Sequence, residues 1–217
     1  ADFDYQSGAD ELTFLDVKAT VDNRSTLFDL VSKTAEKIFI PLTVGGGVRT
    51  AADVGKLLKA GADKVSVSSA AIARPELLSE IADRYGNQVL VLSLDLKLRT
   101  GKTDEWVVTS HGGREVTDID AIEWISRCAE LGVGELLVNS IDADGTKNGF
   151  DLPLIRAVRA VSNLPLIASG GAGSSSDFVP AAVAGADAVL AASIFHNRTV
   201  TIAEAKQALS EGGFSVR

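Results

Sequence analysis

Short apolar runs alternate along the chain with amphipathic stretches about ten residues long, a pattern typical of α/β proteins. The apolar runs predict strands near residues 11–16, 38–44, 63–68, 88–95, 134–140, 165–169 and 187–192. The amphipathic stretches predict helices near residues 26–37, 51–60, 75–85, 119–131, 152–161, 176–184 and 202–211. Such regular alternation predicts a parallel sheet with right-handed crossovers.

Residues 97–117 interrupt this alternation. They contain the β-rich run Trp106–Thr109, which is followed by the turn residues Gly112 and Gly113. A β-rich run next to a glycine-containing turn is typical of a hairpin. We therefore predict an inserted β-hairpin after the strand at 88–95.

The second half of the chain repeats the first at an offset of 124 residues, without gaps. For example, Pro41-Leu42 recurs as Pro165-Leu166, and Gly46-Gly47 recurs as Gly170-Gly171. Two such halves give about 250 residues, the usual size of a (β/α)8 barrel. The repeat therefore predicts a TIM barrel built from two duplicated half-barrels. An open doubly wound sheet is the alternative architecture, but it does not explain the duplication.

The repeat also predicts that one strand is missing. Seven of the eight strands are visible, and the partner of the strand at 88–95 would lie before residue 1. We therefore expect residues 1–217 to form a single barrel domain that lacks its first strand and the loop after it.

Composition and charge narrow the class of protein. A net charge of −8 without a Lys/Arg run argues against a nucleic-acid partner. The single Cys128 allows no internal disulfide and fits a reducing compartment. No apolar run approaches the roughly 20 residues that span a bilayer, and no signal peptide is visible. We expect a cytoplasmic protein that does not bind membranes.

Small and hydroxylated residues follow the strands at corresponding places in the two halves. They are Gly45-Gly46-Gly47 and Ser68-Ser69 in the first half, and Ser169-Gly170-Gly171 and Ala192-Ser193 in the second. Backbone amides of glycine-rich loops and serine hydroxyls bind phosphate at the carboxyl ends of barrel strands. The alternative is that these glycines only form tight turns. Two copies of one plan favour phosphate binding and suit a ligand with a phosphate at each end.

Carboxylates also end several strands. Asp95 ends the apolar run VLVLSLD, where a side chain can act as a general acid or base, although it could instead cap a loop or pair with Lys97. Asp142 and Asp144 follow the strand at 134–140, but no distal Glu completes a calcium loop, so no metal site is predicted. Asp16 is a further carboxylate at a strand end.

Charged residues also open strands, at the opposite end of the predicted sheet. They are Glu11, Asp63, Lys64 and Glu135. One interpretation is a salt-bridged floor that stabilises the barrel. The other is a gate or a docking surface for a partner protein.

Five motifs together resemble the family of cyclase subunits of imidazole glycerol phosphate synthase, from histidine biosynthesis. They are TVGGGVR at 43–49, GADKVSV at 61–67, DADGTKNGFD at 142–151, ASGGAG at 168–173 and GADAVLAASIFH at 185–196. The last of these distinguishes the cyclase from its sister, the aminoimidazole-carboxamide ribotide isomerase.

The resemblance implies a lyase and cyclase reaction that needs no metal or other cofactor. Ammonia from a glutaminase partner, bound as a heterodimer, attacks a bis-phosphorylated ribulosyl formimino aminoimidazole carboxamide ribotide. The products are imidazole glycerol phosphate and aminoimidazole carboxamide ribotide. The alternatives are the sister isomerase, or a catalytically incomplete scaffold that binds phosphorylated ligands.

The resemblance also assigns roles to individual residues. It implies that Asp95 and Asp144 are catalytic and that Asn139 and Ser169 lie near the substrate. The implied phosphate contacts are Gly47, Ser68, Ser69, Gly145, Gly170, Gly171, Ala192 and Ser193. The implied ammonia gate includes Glu11, Lys64 and Glu135, and Asp63 is implied to contact the glutaminase.

Some family features differ or are absent. Ser68 stands where the family usually has Asn, and Lys18 stands where Thr is usual. The resemblance implies a second catalytic aspartate and a gate arginine in the first strand, which we expect to lie before residue 1.

Overall fold

The computed structural model describes residues 2–15 and 24–217. Asp16 and Lys18 lie outside the described residues, so their predicted roles stay predictions. The chain forms two compact units. The first contains Ala1–Leu92 and Glu130–Gly134, and the second contains Ser93–Ala129 and Glu135–Arg217.

The first unit is a set of parallel strands connected by helices. Its elements are α1 (Asp2–Gln6), β1 (Leu12–Leu15), α2 (Arg24–Ala35), β2 (Leu42–Gly45), α3 (Ala51–Lys59), β3 (Lys64–Val67), α4 (Ser69–Ala73), α5 (Glu76–Tyr85) and the start of β4 (Leu90–Leu98). The strands pair in chain order, with Leu12 opposite Leu42 and Val65 opposite Leu90. All four residues of β2 are buried, and the strand has a parallel neighbour on each edge, β1 and β3.

The second unit combines parallel strands with an antiparallel extension. Its elements are the rest of β4, β5 (Trp106–Ser110), β6 (Glu115–Asp120), α6 (Ala121–Glu130), β7 (Glu135–Ser140), α7 (Leu152–Val161), β8 (Leu166–Ser169), α8 (Phe178–Ala184), β9 (Ala188–Leu190), α9 (Ser193–His196) and α10 (Ile202–Glu211). β7, β8 and β9 are parallel, whereas β5 pairs antiparallel with both β4 and β6.

The 124-residue repeat reappears as repeated hydrogen bonds. At the start of β2, the carboxylate of Asp63 accepts the N–H of Leu42 at 2.8 Å. At the start of β8, Asp187 accepts the N–H of Leu166 at 2.9 Å. The helical turns that follow each begin with a capping box, Thr50 with Asp53 and Ser174 with Asp177. The two units therefore share one backbone plan.

The predicted fold class is confirmed, because β1–β4 in the first unit and β7–β9 in the second are parallel and alternate with helices as in (β/α)8 proteins. The single domain with a missing strand stays a prediction. No helix among the described residues is long and apolar enough to cross a membrane.

Three local differences separate the predicted elements from the observed ones. β2 begins at Leu42 rather than at residue 38, because Pro41 has no N–H to donate and Phe39 is 86% exposed in the preceding loop. β4 continues to Leu98 because β5 pairs with its last four residues. α4 and α9 are too short to produce a helical periodicity in the sequence.

Candidate active site

Asp95 lies in β4 of the second unit, and its side chain is held by the neighbouring strand. The amide Nδ2 of Asn139, in β7, donates to Oδ1 of Asp95 at 3.0 Å. Burial raises the pKa of Asp95, the hydrogen bond from Asn139 opposes this, and the charge of Asp144 raises the pKa further. A carboxyl group whose pKa is raised in this way is suited to exchange protons nearer neutral pH.

The antiparallel strand β5 pairs with the part of β4 that contains Asp95. Thr109 lies opposite Asp95 in the register of β5 and β4, and its hydroxyl donates to the Asp95 carbonyl at 2.8 Å. All five residues of β5 are buried. At the tip of the hairpin, a Cβ on Gly113 would lie 2.6 Å from the side chain of Ile141, so the tip packs against the loop that follows β7. Sequence reasoning missed Thr109, because only strand register reveals its contact with Asp95.

A hydroxyl, an imidazole and a carboxylate meet near the same tip, but they do not form a catalytic triad. Ser110 Oγ lies 3.0 Å from Nδ1 of His111, and Glu115 Oε2 lies 3.2 Å from the same nitrogen. A triad requires the nucleophile and the carboxylate to bond different ring nitrogens. The cluster therefore belongs to the structure of the hairpin end.

Two loops, after β7 and after β8, lie very close together. The N–H of Gly149 donates to the carbonyl of Gly171 at 2.9 Å. Gly170 has φ 89°, and a Cβ there would lie 2.8 Å from both Asn139 Oδ1 and the Ser140 carbonyl oxygen. A Cβ on Gly171 would lie 2.1 Å from the Gly149 carbonyl oxygen. Both glycines are therefore required by close approach, whatever ligand they also contact.

The predicted site residues of the second unit gather around these loops. Ser169 is the last residue of β8 and lies opposite Asn139 in β7. The loop after β7 carries Asp144 and Gly145, which are exposed. The loop after β8 carries Gly170 and Gly171. Asp142 is used within the fold instead, because its carboxylate accepts the N–H of Leu98 at 2.7 Å.

In each unit, the strand end that was predicted to bind phosphate leads directly into a short helical turn. In the first, Ser68 precedes α4, and its carbonyl accepts the N–H of Ala71 at 2.8 Å. In the second, Ala192 precedes α9, and its carbonyl accepts the N–H of His196 at 2.9 Å. Ser69 and Ser193 are the first residues of these turns, and the buried Ile194 anchors the second of them in a small apolar cluster. Gly47, with φ 66°, is exposed in the loop after β2.

Three of the predicted gate and docking residues lie together at the strand starts of the first unit. Lys64 Nζ donates to both carboxylate oxygens of Glu11, at 3.0 and 3.2 Å. The side chain of Asp63 bonds the start of β2, as described above. In the second unit, Glu135 is the first residue of β7.

Comparisons with known proteins place the chain in a family. The model of the family described as "Histidine biosynthesis protein" matches residues 2–201. A protein of Leifsonia xyli is 65% identical over 213 residues, which cover 98% of this chain and 84% of that protein. Relatives from Clavibacter michiganensis and Salinispora tropica are 63% and 62% identical over 214 residues, with 98% of this chain and 81% and 84% of those proteins covered. All three are named imidazole glycerol phosphate synthase subunit HisF. The chain therefore belongs to the histidine biosynthesis family, within the group of imidazole glycerol phosphate synthase HisF subunits.

Proposed function

We propose that this chain is the cyclase subunit of imidazole glycerol phosphate synthase, a lyase of histidine biosynthesis. It would use ammonia to convert a bis-phosphorylated ribulosyl formimino aminoimidazole carboxamide ribotide into imidazole glycerol phosphate and aminoimidazole carboxamide ribotide. The observation that carries this proposal is Asp95, a partly buried carboxyl group of β4 with a raised pKa, in a chain 65% identical to a HisF subunit. The relatives carry the name of the synthase subunit and not that of the sister isomerase, so the isomerase is not favoured.

In the proposed mechanism, Asp95 accepts a proton from the reacting centre and returns it as the imidazole ring closes and the carboxamide leaves. Proton transfer by a positioned group contributes about 10²–10⁴ to a rate when its pKa approaches the working pH. Asp144 supports this role, because its negative charge raises the pKa of Asp95. Asn139 and Ser169, at the ends of neighbouring strands, are proposed to lie near the substrate.

Each unit supplies one proposed phosphate site. In the first unit the contacts would come from Gly47, Ser68 and Ser69, and in the second from Gly145, Gly170, Gly171, Ala192 and Ser193. The support for this proposal is that glycine-containing loops and short helical turns follow the strands at corresponding places in the two units. A substrate with two phosphate groups would match a loop and a short helical turn that are present in two copies.

A glutaminase partner is proposed to deliver the ammonia. Because the relatives are named as subunits, a complex is expected, and the strand starts of the first unit offer features that suit a protein interface. Phe39 is 86% exposed there and contacts the ring of Tyr5 at a centroid distance of 6.2 Å. Exposed aromatic side chains are enriched among the residues that dominate binding energy at interfaces. Glu11, Asp63 and Lys64 are proposed to form the charged part of this surface. Glu135, at the start of β7 in the second unit, is proposed to belong to the ammonia gate.

Turnover of Asp95→Asn tests the proposal. With an ammonium salt as nitrogen source, we expect the unsubstituted chain to form imidazole glycerol phosphate. Asp95→Asn should lower kcat by at least about 100-fold while substrate affinity stays nearly unchanged. Asp118→Asn, an exposed carboxylate of β6, is the matched control and should leave kcat unchanged. Full turnover by Asp95→Asn would refute its role, and a substrate-binding chain without any turnover would indicate a scaffold.

A further inference from the structure

The side-chain amide of Asn139 lies between the carboxyl group of Asp95 and Gly170, in the loop after β8. Its nitrogen is 3.0 Å from Oδ1 of Asp95. Its oxygen lies 2.8 Å from the point that a Cβ on Gly170 would occupy. The amide is thus bonded on one side and closely surrounded on the other, and any side chain at residue 170 would have to displace it.

The orientation of this amide follows from its chemistry. An ionised carboxylate only accepts hydrogen bonds, so an amide that contacts it must present its nitrogen. The Asn139 amide donates to Oδ1 of Asp95. A proton carried on Oδ1 would therefore lie close to the N–H of that amide, which is also a donor. The other oxygen, Oδ2, is therefore the one on which Asp95 can take up and release a proton without breaking the bond.

The internal repeat provides an independent argument. The residues that correspond to Asn139 and Gly170 in the first unit are Leu15 and Gly46, at the same offset of 124. Leu15 ends β1 and pairs in register with Gly45, as Asn139 pairs with Ser169. The shared backbone plan therefore accepts an apolar side chain at this position. The amide of Asn139 is not needed for the strand, and the feature that explains it is the carboxyl group of Asp95.

We propose that Asn139 is a positioning residue that assigns the transferred proton to Oδ2 of Asp95. The inference rests on the proposed function for the identity of Asp95 as the general acid–base group. It assigns Asn139 a role different from the direct substrate contact expected from the sequence.

The proposal predicts how the proton affinity of Asp95 responds to loss of the amide. Burial and the charge of Asp144 disfavour the ionised form, whereas the Asn139 hydrogen bond favours it. In Asn139→Leu, which installs the residue found in the first unit, only the two disfavouring influences remain. Because the hydrogen bond from Asn139 favours the ionised form, its loss should raise the titration midpoint of Asp95.

Carbon-13 NMR of the Asp95 carboxyl, in the substrate-free chain, measures this midpoint directly. Asp95→Asn identifies the resonance. Asn148→Leu is the matched control, because Asn148 is an exposed amide in the loop after β7. We expect the midpoint to rise in Asn139→Leu and to stay unchanged in Asn148→Leu. An unchanged midpoint in folded Asn139→Leu overturns the proposal.

Steady-state kinetics separates positioning from substrate contact. A positioning role moves the acidic limb of the kcat–pH profile to higher pH with little change in KM. A purely substrate-binding role raises KM and leaves the titration midpoint unchanged, which would also overturn the proposal. Because the NMR titration needs no turnover, it gives its result even if the chain proves inactive, so failure of the proposed function is distinguishable. If Asn139→Leu does not fold, the smaller Asn139→Ser takes its place with the same expected direction.

Discussion

Arg159 should contribute more to the stability of the second unit than its partial exposure suggests. From α7, its Nε donates to the Gly185 carbonyl at 2.9 Å, and one terminal nitrogen donates to the carbonyls of Ser162 and Leu164, both at 3.1 Å. The other terminal nitrogen pairs with Asp187, which itself accepts the first N–H of β8. A single side chain therefore closes the connections that precede both β8 and β9.

The first unit shows what remains without this side chain. The residue that corresponds to Arg159 is Ala35, whose Cβ lies 2.5 Å from the point that a Cβ on Gly61 would occupy. Arg159→Ala would therefore reproduce the arrangement of the first unit. It leaves three carbonyls without a charged donor, at about 1 kcal/mol each where water can partly replace the bond. Since the pair with Asp187 is partly exposed, it adds at most about 1 kcal/mol, for a total of about 3–4 kcal/mol.

Urea unfolding of the full chain, followed by circular dichroism, measures this loss. Arg156→Ala is the control, because Arg156 lies on the same helix and is exposed. We expect a lower unfolding midpoint for Arg159→Ala and a midpoint within experimental error of the unsubstituted chain for Arg156→Ala. Hydrogen exchange at the amide of Leu166 should also accelerate in Arg159→Ala, because Asp187 loses the cation that fixes it. Equal stabilities of the two variants would refute the reasoning.

Three further predictions concern the site, the partner and the thiol. Asp144→Asn should lower the pKa of Asp95, because it removes a negative charge that raises it, while burial keeps that pKa above its ordinary value; carbon-13 NMR titration checks the direction, and a rise would contradict it. Phe39→Ala should weaken binding of the proposed glutaminase by at least about 10-fold in calorimetry, since buried aromatic anchors commonly contribute 2 kcal/mol or more. Asn163→Ala, at the corresponding exposed position of the second unit, should have little effect, and equal losses would argue against Phe39 as an anchor. Burial raises the pKa of Cys128 to about 12, so the native chain should resist a thiol reagent at pH 8 and react only after unfolding in urea.

Asp95 could be identified from the sequence alone, because a charged residue that follows a run of apolar residues is easily recognised there. The sequence could not reveal the contacts that tune this residue. Asn139 lies 44 positions away, and Thr109 meets it only through the antiparallel register of the hairpin. Sequence position also misplaced Phe39 in a strand, because an apolar run does not distinguish a buried strand from an exposed loop before a proline. The repeat predicted that Asp63 and Asp187 correspond, but not that each carboxylate bonds the start of the preceding strand.

The close approach of the two loops in the second unit has a consequence for sequence variation. Gly145 and Gly171 both have positive φ, 75° and 105°, but a Cβ faces open space at the first and a carbonyl oxygen 2.1 Å away at the second. Asn and Asp tolerate a left-handed backbone, so a randomised library selected only for folding should accept them at 145. The same library should return only glycine at 171. The substitutions accepted at each glycine would thus show, from sequences alone, which loop positions lie against another loop.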